Sequence, residues 1–499
     1  MANTSDHGFS ENGDLYNDTK HDTKSLDVTT ETAAFDHSTY EDFFLDVMVS
    51  DPQRQRDEHA AFVNYQVSTK TDKKSYHTVY RANNSNNTDF HSKKKTKSSS
   101  KTKQDKNEIL VVHRRYSDFL LLHNILVNDY PCSIIPPIPD KKVLQYFAGD
   151  RFSPSFTQKR CHSLQNFLQK LALHPVYKNS KILETFLTNS TEWEIYRRTI
   201  NISNIEGSSG KSHAGNGASS GNKEDVSDYF INAFKHVHHQ SDEFIEIKEK
   251  SEKLDYNINK IDKVTHRVVK LQDGLIEDYG KLSKGIDNFK ELLTKNEFSS
   301  GGADNNNQHS ADENMSISVN HSKLVESLAV LNSGLVTMQY ALKDLTKYYD
   351  FEYLTDLRDM EHYIDNLKRL VKLKDQKQID YEELNDYLTK SITEKNNLIS
   401  GYTGNFFTNK LEEIAGINQE QSRREKISKL DGKIETLTEE VENAKKTSLD
   451  FEKQTLKEIE IFENIKTQSL KKSLTSLADN QIEFYEKLYD TWSKVEDGI

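Results

Sequence analysis

The chain has 499 residues, of which 34% are hydrophobic and 29% charged, and its formal net charge is −12. This composition is too polar for one compact globule and favours long exposed helices combined with disordered segments. No apolar run of about 18 residues occurs, which excludes a predicted membrane-spanning helix, and a chain with only two cysteines is not built on a disulfide framework.

The charge is unevenly distributed along the chain. Residues 1–40 carry −6, residues 41–200 carry +8 and residues 225–499 carry −14. The first 40 residues are rich in Asp, Ser, Thr and Asn, lack a signal pattern and are expected to be disordered. A basic module on an acidic chain indicates a surface for an anionic partner, either lipid or nucleic acid.

Three segments rich in β-branched and aromatic residues predict strands, and they lie at 43–49, 61–67 and 108–113. Residues 81–107, full of Asn, Ser, Thr and Lys, predict a disordered insertion in a hairpin loop. Helices are predicted at 116–130 and 156–170, with shorter ones continuing to about residue 198. Three strands followed by helices predict a small α+β domain over residues 41–198.

The second half of the chain has the pattern of long helices. After a Ser/Gly/Asn-rich linker at 199–224, residues 225–499 contain no proline, which favours continuous helix. Apolar residues recur at spacings of three and four in three stretches, which begin at Leu254, Leu324 and Ile427. Predicted breaks at 299–320 and 401–405 leave three helices of roughly 70–90 residues. Such rods favour a helical bundle and a dimer.

Three basic residues surround a proline-rich loop. Arg115 lies in the segment His-Arg-Arg-Tyr-Ser-Asp-Phe, Lys141 follows the run Pro-Pro-Ile-Pro-Asp, and Arg160 opens an apolar helical stretch. An arginine fork binds a phosphate monoester through two parallel hydrogen bonds, whereas a lysine neutralises a phosphodiester as a point charge. A second arginine can bind ring hydroxyls, and Tyr116 can pack against a sugar face. These residues form a candidate site for a phosphoinositide head group.

This order of strands, basic motif, proline loop and arginine-led helix resembles the PX family. The resemblance implies that Arg115 holds the 3-phosphate, Tyr116 packs under the sugar and Ser117 helps to line the site. It implies that Lys141 meets the 1-phosphate and that Arg160 meets the 4- and 5-hydroxyls. Binding of hydroxyls at that point implies a preference for phosphatidylinositol 3-phosphate over multiply phosphorylated lipids.

The loop after the proline run carries apolar residues flanked by lysines. In the PX family this loop dips into the bilayer, and its composition suits a membrane interface. Packing inside the domain is the alternative left open. The residues concerned are Val143, Leu144, Tyr146 and Phe147.

Residues 225–499 resemble a BAR domain, whose three long kinked helices dimerise into a curved shell. The combination resembles fungal PX-BAR sorting nexins and implies a non-catalytic protein without a cofactor. It also implies a location in the cytosol and, peripherally, on endosomes and the pre-autophagosomal structure. The implied roles are retrieval of SNARE cargo from endosomes to the Golgi, cytoplasm-to-vacuole transport and selective autophagy, including mitophagy and pexophagy. The implied partners are the autophagy machinery and another PX-BAR sorting nexin or a second copy of this chain.

Other functions would use different parts of the chain. A coiled-coil tether or adaptor would use the PX-like part to bind protein instead of lipid. A nucleic-acid binder would use the basic residues 91–103, which lack interleaved aromatic residues. An enzyme is disfavoured because the sequence shows no metal-spaced Cys/His cluster and no nucleophile motif.

Overall fold

The computed structural model describes most of the chain, namely residues 40–56, 61–85, 108–139, 152–199, 237, 240–299, 311–400 and 419–499. Several predicted features therefore lie outside the described residues. These are the disordered segment before residue 40, most of the insertion, Lys141 with the apolar loop after it, the linker and the break at 401–405. None of the described helices combines the length and the apolar character needed to cross a bilayer.

The sheet has three antiparallel strands in the order β1 (Leu45–Arg56), β2 (Ala61–Thr71) and β3 (Leu110–Arg115). β1 continues past Pro52, which cannot donate a ladder hydrogen bond, because its register shifts between Ser50 and Gln53. Asp51 has a φ of 47°, a left-handed conformation that aspartate tolerates better than most residues. This bulge carries the strand beyond its predicted end at residue 49.

Helix α1 (Lys74–Ser85) has no counterpart in the sequence-based prediction, because its polar composition is that of a loop. The Tyr76 side chain is 1% exposed, and His77 Nε2 lies 2.9 Å from the carbonyl oxygen of Thr71. Arg81 Nε donates to the Glu108 carboxylate at 2.9 Å. These contacts fix the helix against the end of β2 and the residues before β3, and its last residues, 81–85, fall within the predicted insertion.

Among residues 116–139 and 152–199 five helices follow the sheet, and the predicted combination of three strands and succeeding helices is confirmed. They are α2 (Tyr116–Asp129), α3 (Pro154–Leu173), α4 (Pro175–Lys178), α5 (Lys181–Thr188) and α6 (Ser190–Thr199). α3 begins with proline at its first position, and the hydroxyl of Ser153 accepts a hydrogen bond from the Phe156 backbone at 3.4 Å. Tyr65, Phe119, Phe167 and Phe186 are at most 1% exposed and form the core between the sheet and these helices.

The three long helical rods are also confirmed. They are α7 (Asp242–Ser299), a continuous rod of α8 (Ala311–Tyr348), a π-helical turn (Tyr349–Tyr353) and α9 (Leu354–Ile399), and finally α10 (Gln419–Gly498). The 80 residues of α10 span about 120 Å. The second rod begins inside the predicted break at 299–320, because no proline stops the helix there. Dimerisation of these rods remains a prediction.

Candidate functional site

The two consecutive arginines of the motif lie at the end of β3 and point in opposite directions. Side chains alternate along a strand, so Leu110, Val112 and Arg114 are buried in the domain. Arg115 faces the other side of the sheet, where it pairs with Asn64 across β2, and it is half-buried. Only one of the two arginines is therefore placed to meet a ligand.

Arg114 has a structural role. Its guanidinium is 3% exposed, and it donates to the carbonyl oxygen of Phe186 through Nε at 3.0 Å and Nη2 at 2.7 Å. It also donates to the carbonyl oxygen of Asn189 at 3.2 Å and to Ser190 Oγ at 3.3 Å. Burial lowers the pKa of Arg114 to about 10, although the nearby Asp118 charge opposes this. The side chain thus ties β3 to the junction of α5 and α6.

The Ser-Asp-Phe part of the motif starts helix α2 and orients Arg115. The Asp118 carboxylate accepts a hydrogen bond from the Arg115 backbone N–H at 2.7 Å, as expected for an acidic side chain in the first turn of a helix. Phe119 is fully buried, with its ring centroid 6.3 Å from that of Tyr65. Ser117 lies in the same turn and is half-buried.

The Arg115 guanidinium stacks on an aromatic ring outside the motif. Its central carbon lies 3.5 Å from the ring centroid of Phe62 on β2. Phe62 is two residues from Asn64, the cross-strand partner of Arg115, so it lies on the same face of the sheet. A cation over a ring face is favourable and also restricts the rotamers of a long side chain.

Arg160 reaches Tyr116, the neighbour of Arg115, from helix α3. Its guanidinium carbon lies 4.2 Å from the Tyr116 ring centroid and 4.3 Å from that of Phe156. The Tyr116 hydroxyl donates to the carbonyl oxygen of Pro139 at 2.5 Å, which ties the end of the proline loop to the site. The structure therefore places Arg160 and the end of the proline loop against Tyr116, the residue that follows Arg115.

Behind these groups lies a buried polar layer. The Nε of Arg160 is buried without a hydrogen-bond partner within the described ranges, and the buried hydroxyl of Tyr65 lies beside the Arg160 guanidinium. Burial raises the pKa of Tyr65 to about 12, although the charge of Arg160 opposes the shift. The guanidinium of Arg160, over the Tyr116 ring, and that of Arg115, over the Phe62 ring, carry donors suited to a ligand rich in oxygen atoms. Within the described part of the site, sequence reasoning missed Phe62, Tyr65 and Phe156.

Some signal for the missed aromatic residues was present in the sequence. Phe156 precedes Arg160 by four residues, the spacing that brings two side chains together on one helix face. Phe62 could be identified only from the register between β2 and β3, and this register joins residues on either side of the insertion. Of the other predicted residues, Lys141, Val143, Leu144, Tyr146 and Phe147 lie outside the described residues.

The opposite side of α3 docks on the π-helical turn and the start of α9. Lys159 Nζ lies 2.8 Å from Asp350 Oδ1, and His162 Nε2 lies 2.6 Å from Asp356 Oδ1. Ser163 Oγ donates to Asp359 Oδ1 at 2.7 Å. One helix thus carries a residue of the candidate site and the contacts that hold the sheet domain on the long rods.

A second contact joins the proline-containing loop to α10. The carboxylate of Glu458 accepts hydrogen bonds from Ser133 Oγ at 3.0 Å and from the Ile134 backbone at 3.1 Å. His174 Nε2 lies 3.4 Å from the same carboxylate, and all of these groups are at least partly buried. The candidate site is therefore fixed in direction relative to the rods.

Comparison with known proteins gives matches over most of the chain. The PX domain family model matches residues 102–190. A cryo-EM structure titled the SNX-BAR Mvp1 tetramer is similar with a TM-score of 0.43 and 16% identity, over 89% of this chain and 100% of that chain. The Hof1p F-BAR domain is similar with a TM-score of 0.29 and 12% identity, over 50% of this chain and 86% of that chain.

Curated relatives share about half of the residues. Sorting nexin-4 of Eremothecium gossypii is 52% identical over 91% of this chain and 97% of its own length. Sorting nexin-4 of Saccharomyces cerevisiae is 50% identical over 92% and 94%, and that of Candida glabrata is 48% identical over 91% and 92%. With this identity over nearly the full length, and with a PX domain in the expected place, the chain belongs to the sorting nexin-4 family.

Proposed function

We propose that this chain is a non-catalytic sorting nexin that binds phosphatidylinositol 3-phosphate on endosomal and pre-autophagosomal membranes. The observation that carries the proposal is the placement of Arg160 over the ring of Tyr116, the residue next to Arg115. Arg115 would bind the 3-phosphate through its guanidinium fork, and Tyr116 would pack under the inositol ring. Arg160 would donate to the 4- and 5-hydroxyls, with Ser117 lining the site.

The proline loop would complete the site at the membrane surface. Pro139, which accepts a hydrogen bond from Tyr116, precedes Lys141 by two residues, and that lysine would neutralise the 1-phosphate. The apolar side chains after it would enter the interface between head groups and acyl chains. These are Val143, Leu144, Tyr146 and Phe147.

Replacing Arg115 with alanine tests the lipid assignment directly. We expect vesicles that contain phosphatidylinositol 3-phosphate to bind the full chain, and the Arg115→Ala chain to bind them about 10–100-fold more weakly, because a charge-assisted bidentate contact is lost. Co-sedimentation with vesicles that have or lack this lipid measures the effect.

Arg198→Ala is the matched control for this substitution. Arg198 is exposed on α6, where it pairs with Glu194 of its own helix at 3.1 Å. The Arg198→Ala chain loses the same charge outside the site, so its binding to these vesicles should stay near that of the native chain. Two results would favour the adaptor function instead: vesicle binding of the native chain that does not depend on the 3-phosphate, or unchanged vesicle binding of the Arg115→Ala chain.

The long rods would form a dimer with a second PX-BAR chain. α7 exposes apolar side chains at spacings of three, four and seven residues, which place them on one stripe of the helix. They are Ile261, Val264, Val268, Leu271, Leu275, Leu282 and Phe289. Leu271 is 68% exposed, so a stripe of this length indicates a surface that another chain covers. A dimer would engage two lipids at once, which can raise vesicle binding by about 10².

The stripe predicts a specific effect on the oligomeric state. Leu271→Glu should place an unpaired charge in the dimer interface and weaken association at least about 100-fold, as measured by light scattering after size-exclusion chromatography. Lys270→Glu puts the same carboxylate on the neighbouring exposed position outside the stripe and should keep twice the mass of one chain. A native chain that is monomeric alone but pairs with another sorting nexin through this stripe would identify a heterodimer.

Membership of the sorting nexin-4 family supports a proposal about the role of the chain in the cell. The chain would support retrieval of SNARE cargo from endosomes to the Golgi. It would also support cytoplasm-to-vacuole transport and selective autophagy, with mitophagy and pexophagy included. In these roles it would act as a peripheral scaffold that presents cargo and autophagy machinery on a curved membrane.

A further inference from the structure

The two guanidinium groups of the lipid site are each held by an aromatic ring that the Arg-Arg-Tyr motif does not contain. Phe62 lies 3.5 Å from Arg115, measured from ring centroid to guanidinium carbon. Phe156 lies 4.3 Å from Arg160, which also contacts the Tyr116 ring at 4.2 Å. The two rings come from separate elements, β2 and α3, so each arginine has its own support.

The chemistry of phenylalanine limits what these rings can do. A phenyl ring offers no hydrogen bond to a phosphate or a hydroxyl, so it acts on the ligand only through the arginine. Stacking covers the face of the planar guanidinium and leaves the N–H groups at its edge for the ligand. It also removes rotamers before the ligand arrives, and this preorganisation raises affinity.

The Arg160 guanidinium is held over two rings, those of Phe156 and Tyr116. Its Nε is buried without a hydrogen-bond acceptor in the described part of the chain, so described hydrogen bonds do not fix that atom. The ring of Phe156, one helical turn before Arg160, contributes to fixing the direction of this guanidinium.

We propose that Phe62 and Phe156 are positioning residues for the head group, and that Phe156 sets the preference for a singly phosphorylated inositol ring. This inference rests on the proposed function. Held by Phe156 and Tyr116, Arg160 presents its edge to two adjacent hydroxyls and cannot turn to pair with a bulkier phosphate. Released from Phe156, it can swing and form a bidentate pair with a 4- or 5-phosphate. Phe62 acts on Arg115, so it affects all 3-phosphorylated lipids equally.

The test compares full-length chains with Phe156→Leu, Phe156→Tyr and Phe62→Leu. The probes are vesicles with phosphatidylinositol 3-phosphate or with the 3,5-bisphosphate at equal mole fraction. We expect Phe156→Leu to weaken 3-phosphate binding about fivefold and to reduce the preference over the bisphosphate by more than that. Phe156→Tyr should retain both the 3-phosphate binding and the preference over the bisphosphate, because tyrosine keeps the aromatic ring. Phe62→Leu should weaken binding of both lipids and leave their ratio unchanged.

The ratio of the two affinities separates positioning from a general loss of structure. A partly unfolded chain binds both lipids less well in proportion, and circular dichroism of each variant reports that loss independently. If the native chain binds in an Arg115-dependent way but Phe156→Leu retains both affinity and ratio, the positioning role is wrong and the proposed function stands. If the native chain shows no Arg115-dependent binding, both are wrong.

Discussion

Replacing Arg114 with methionine is expected to lower the unfolding temperature of the sheet domain by about 6–12 °C. Methionine fills much of the space but removes the donors to the carbonyl oxygens of Phe186 and Asn189 and to Ser190 Oγ. The Asn189 carbonyl keeps its hydrogen bond from the Trp193 backbone. Loss of the donors to the Phe186 carbonyl, together with the other lost charge-assisted hydrogen bonds, costs about 3 kcal/mol or more. In a domain of this size each kcal/mol corresponds to about 2–4 °C.

Tryptophan fluorescence measures this local effect. Trp193 is 2% exposed, and its ring centroid lies 5.8 Å from the Arg114 guanidinium carbon. The sequence has two tryptophans, so a Trp492→Phe background leaves Trp193 as the only reporter. The neighbouring Arg115→Ala variant should lose lipid binding and keep the native unfolding temperature. Equal unfolding temperatures for native and Arg114→Met chains would show that the buried arginine has no structural role.

Replacing Asp356 with asparagine is expected to loosen the sheet domain from the long rods. Asp356 accepts hydrogen bonds from His162 at 2.6 Å and from Asn166 at 2.8 Å. Its removal leaves the His162 charge without its nearest carboxylate and costs about 2 kcal/mol, since both groups retain some solvent contact. Lys159 with Asp350 and Ser163 with Asp359 remain, so we expect partial release.

The His162–Asp356 pair also makes docking depend on pH. Burial alone would lower the pKa of His162, but the hydrogen bond and charge of Asp356, with Glu352 and Asp359, outweigh burial and raise it. Burial would raise the pKa of Asp356, but the hydrogen bond and charge of His162, with Ser473 and Asn166, lower it. A histidine with a raised pKa stabilises the docked state fully when the pH is below the ordinary pKa of histidine. This contribution is lost as the pH rises through the raised pKa. A carboxyl group with a lowered pKa stabilises the docked state fully when the pH is above the ordinary pKa of the group. This contribution is lost as the pH falls through the lowered pKa. Docking should therefore be firmest in mildly acid solution and weaken toward alkaline pH.

Spin labels can follow the docking directly. Ile195 on α6 and Tyr256 on α7 are 61% and 67% exposed, so cysteines can replace them for labelling. Burial raises the pKa of Cys132 and of Cys161 to about 11, which makes the native thiols poor competitors for the label.

We expect a narrow distance distribution between these labels for the native chain near pH 6, and a broader one for Asp356→Asn or at high pH. His162→Gln should remove the pH dependence, whereas His113→Gln, an exposed histidine on β3, should keep it. A distribution that is the same at all pH values and in Asp356→Asn would contradict this role of the pair.

The sequence carried most information on the candidate site where neighbouring positions are involved. Arg115 and Tyr116 are adjacent, and Arg160 lies in a helix with a strong apolar pattern, which the structure places against Tyr116. Arg114, the neighbour of Arg115 in the motif, received no role from the sequence. Only the alternation of buried side chains on β3 shows that it faces the interior.

Other features were beyond local pattern. Helix α1 has a polar composition, and its stability comes from contacts of Tyr76 and His77 with distant elements. The docking of α3 depends on hydrogen bonds across a sequence separation of about 190 residues, which periodicity does not report. The π-helical turn at Tyr349–Tyr353 lies within an unbroken helical pattern and becomes recognisable only through its contact with Lys159.

The double use of α3 constrains how this part of the sequence can vary. A residue inserted into a helix rotates everything after it by about 100° relative to what precedes it. An insertion between Arg160 and Asn166 would keep the arginine in place and turn the amide away from the carboxylates that it now meets. The same insertion in the segment between α1 and β3 would not change the angle around α3 between Arg160 and Asn166. Length variation among related chains is therefore expected to accumulate before β3 and to be absent from the middle of α3.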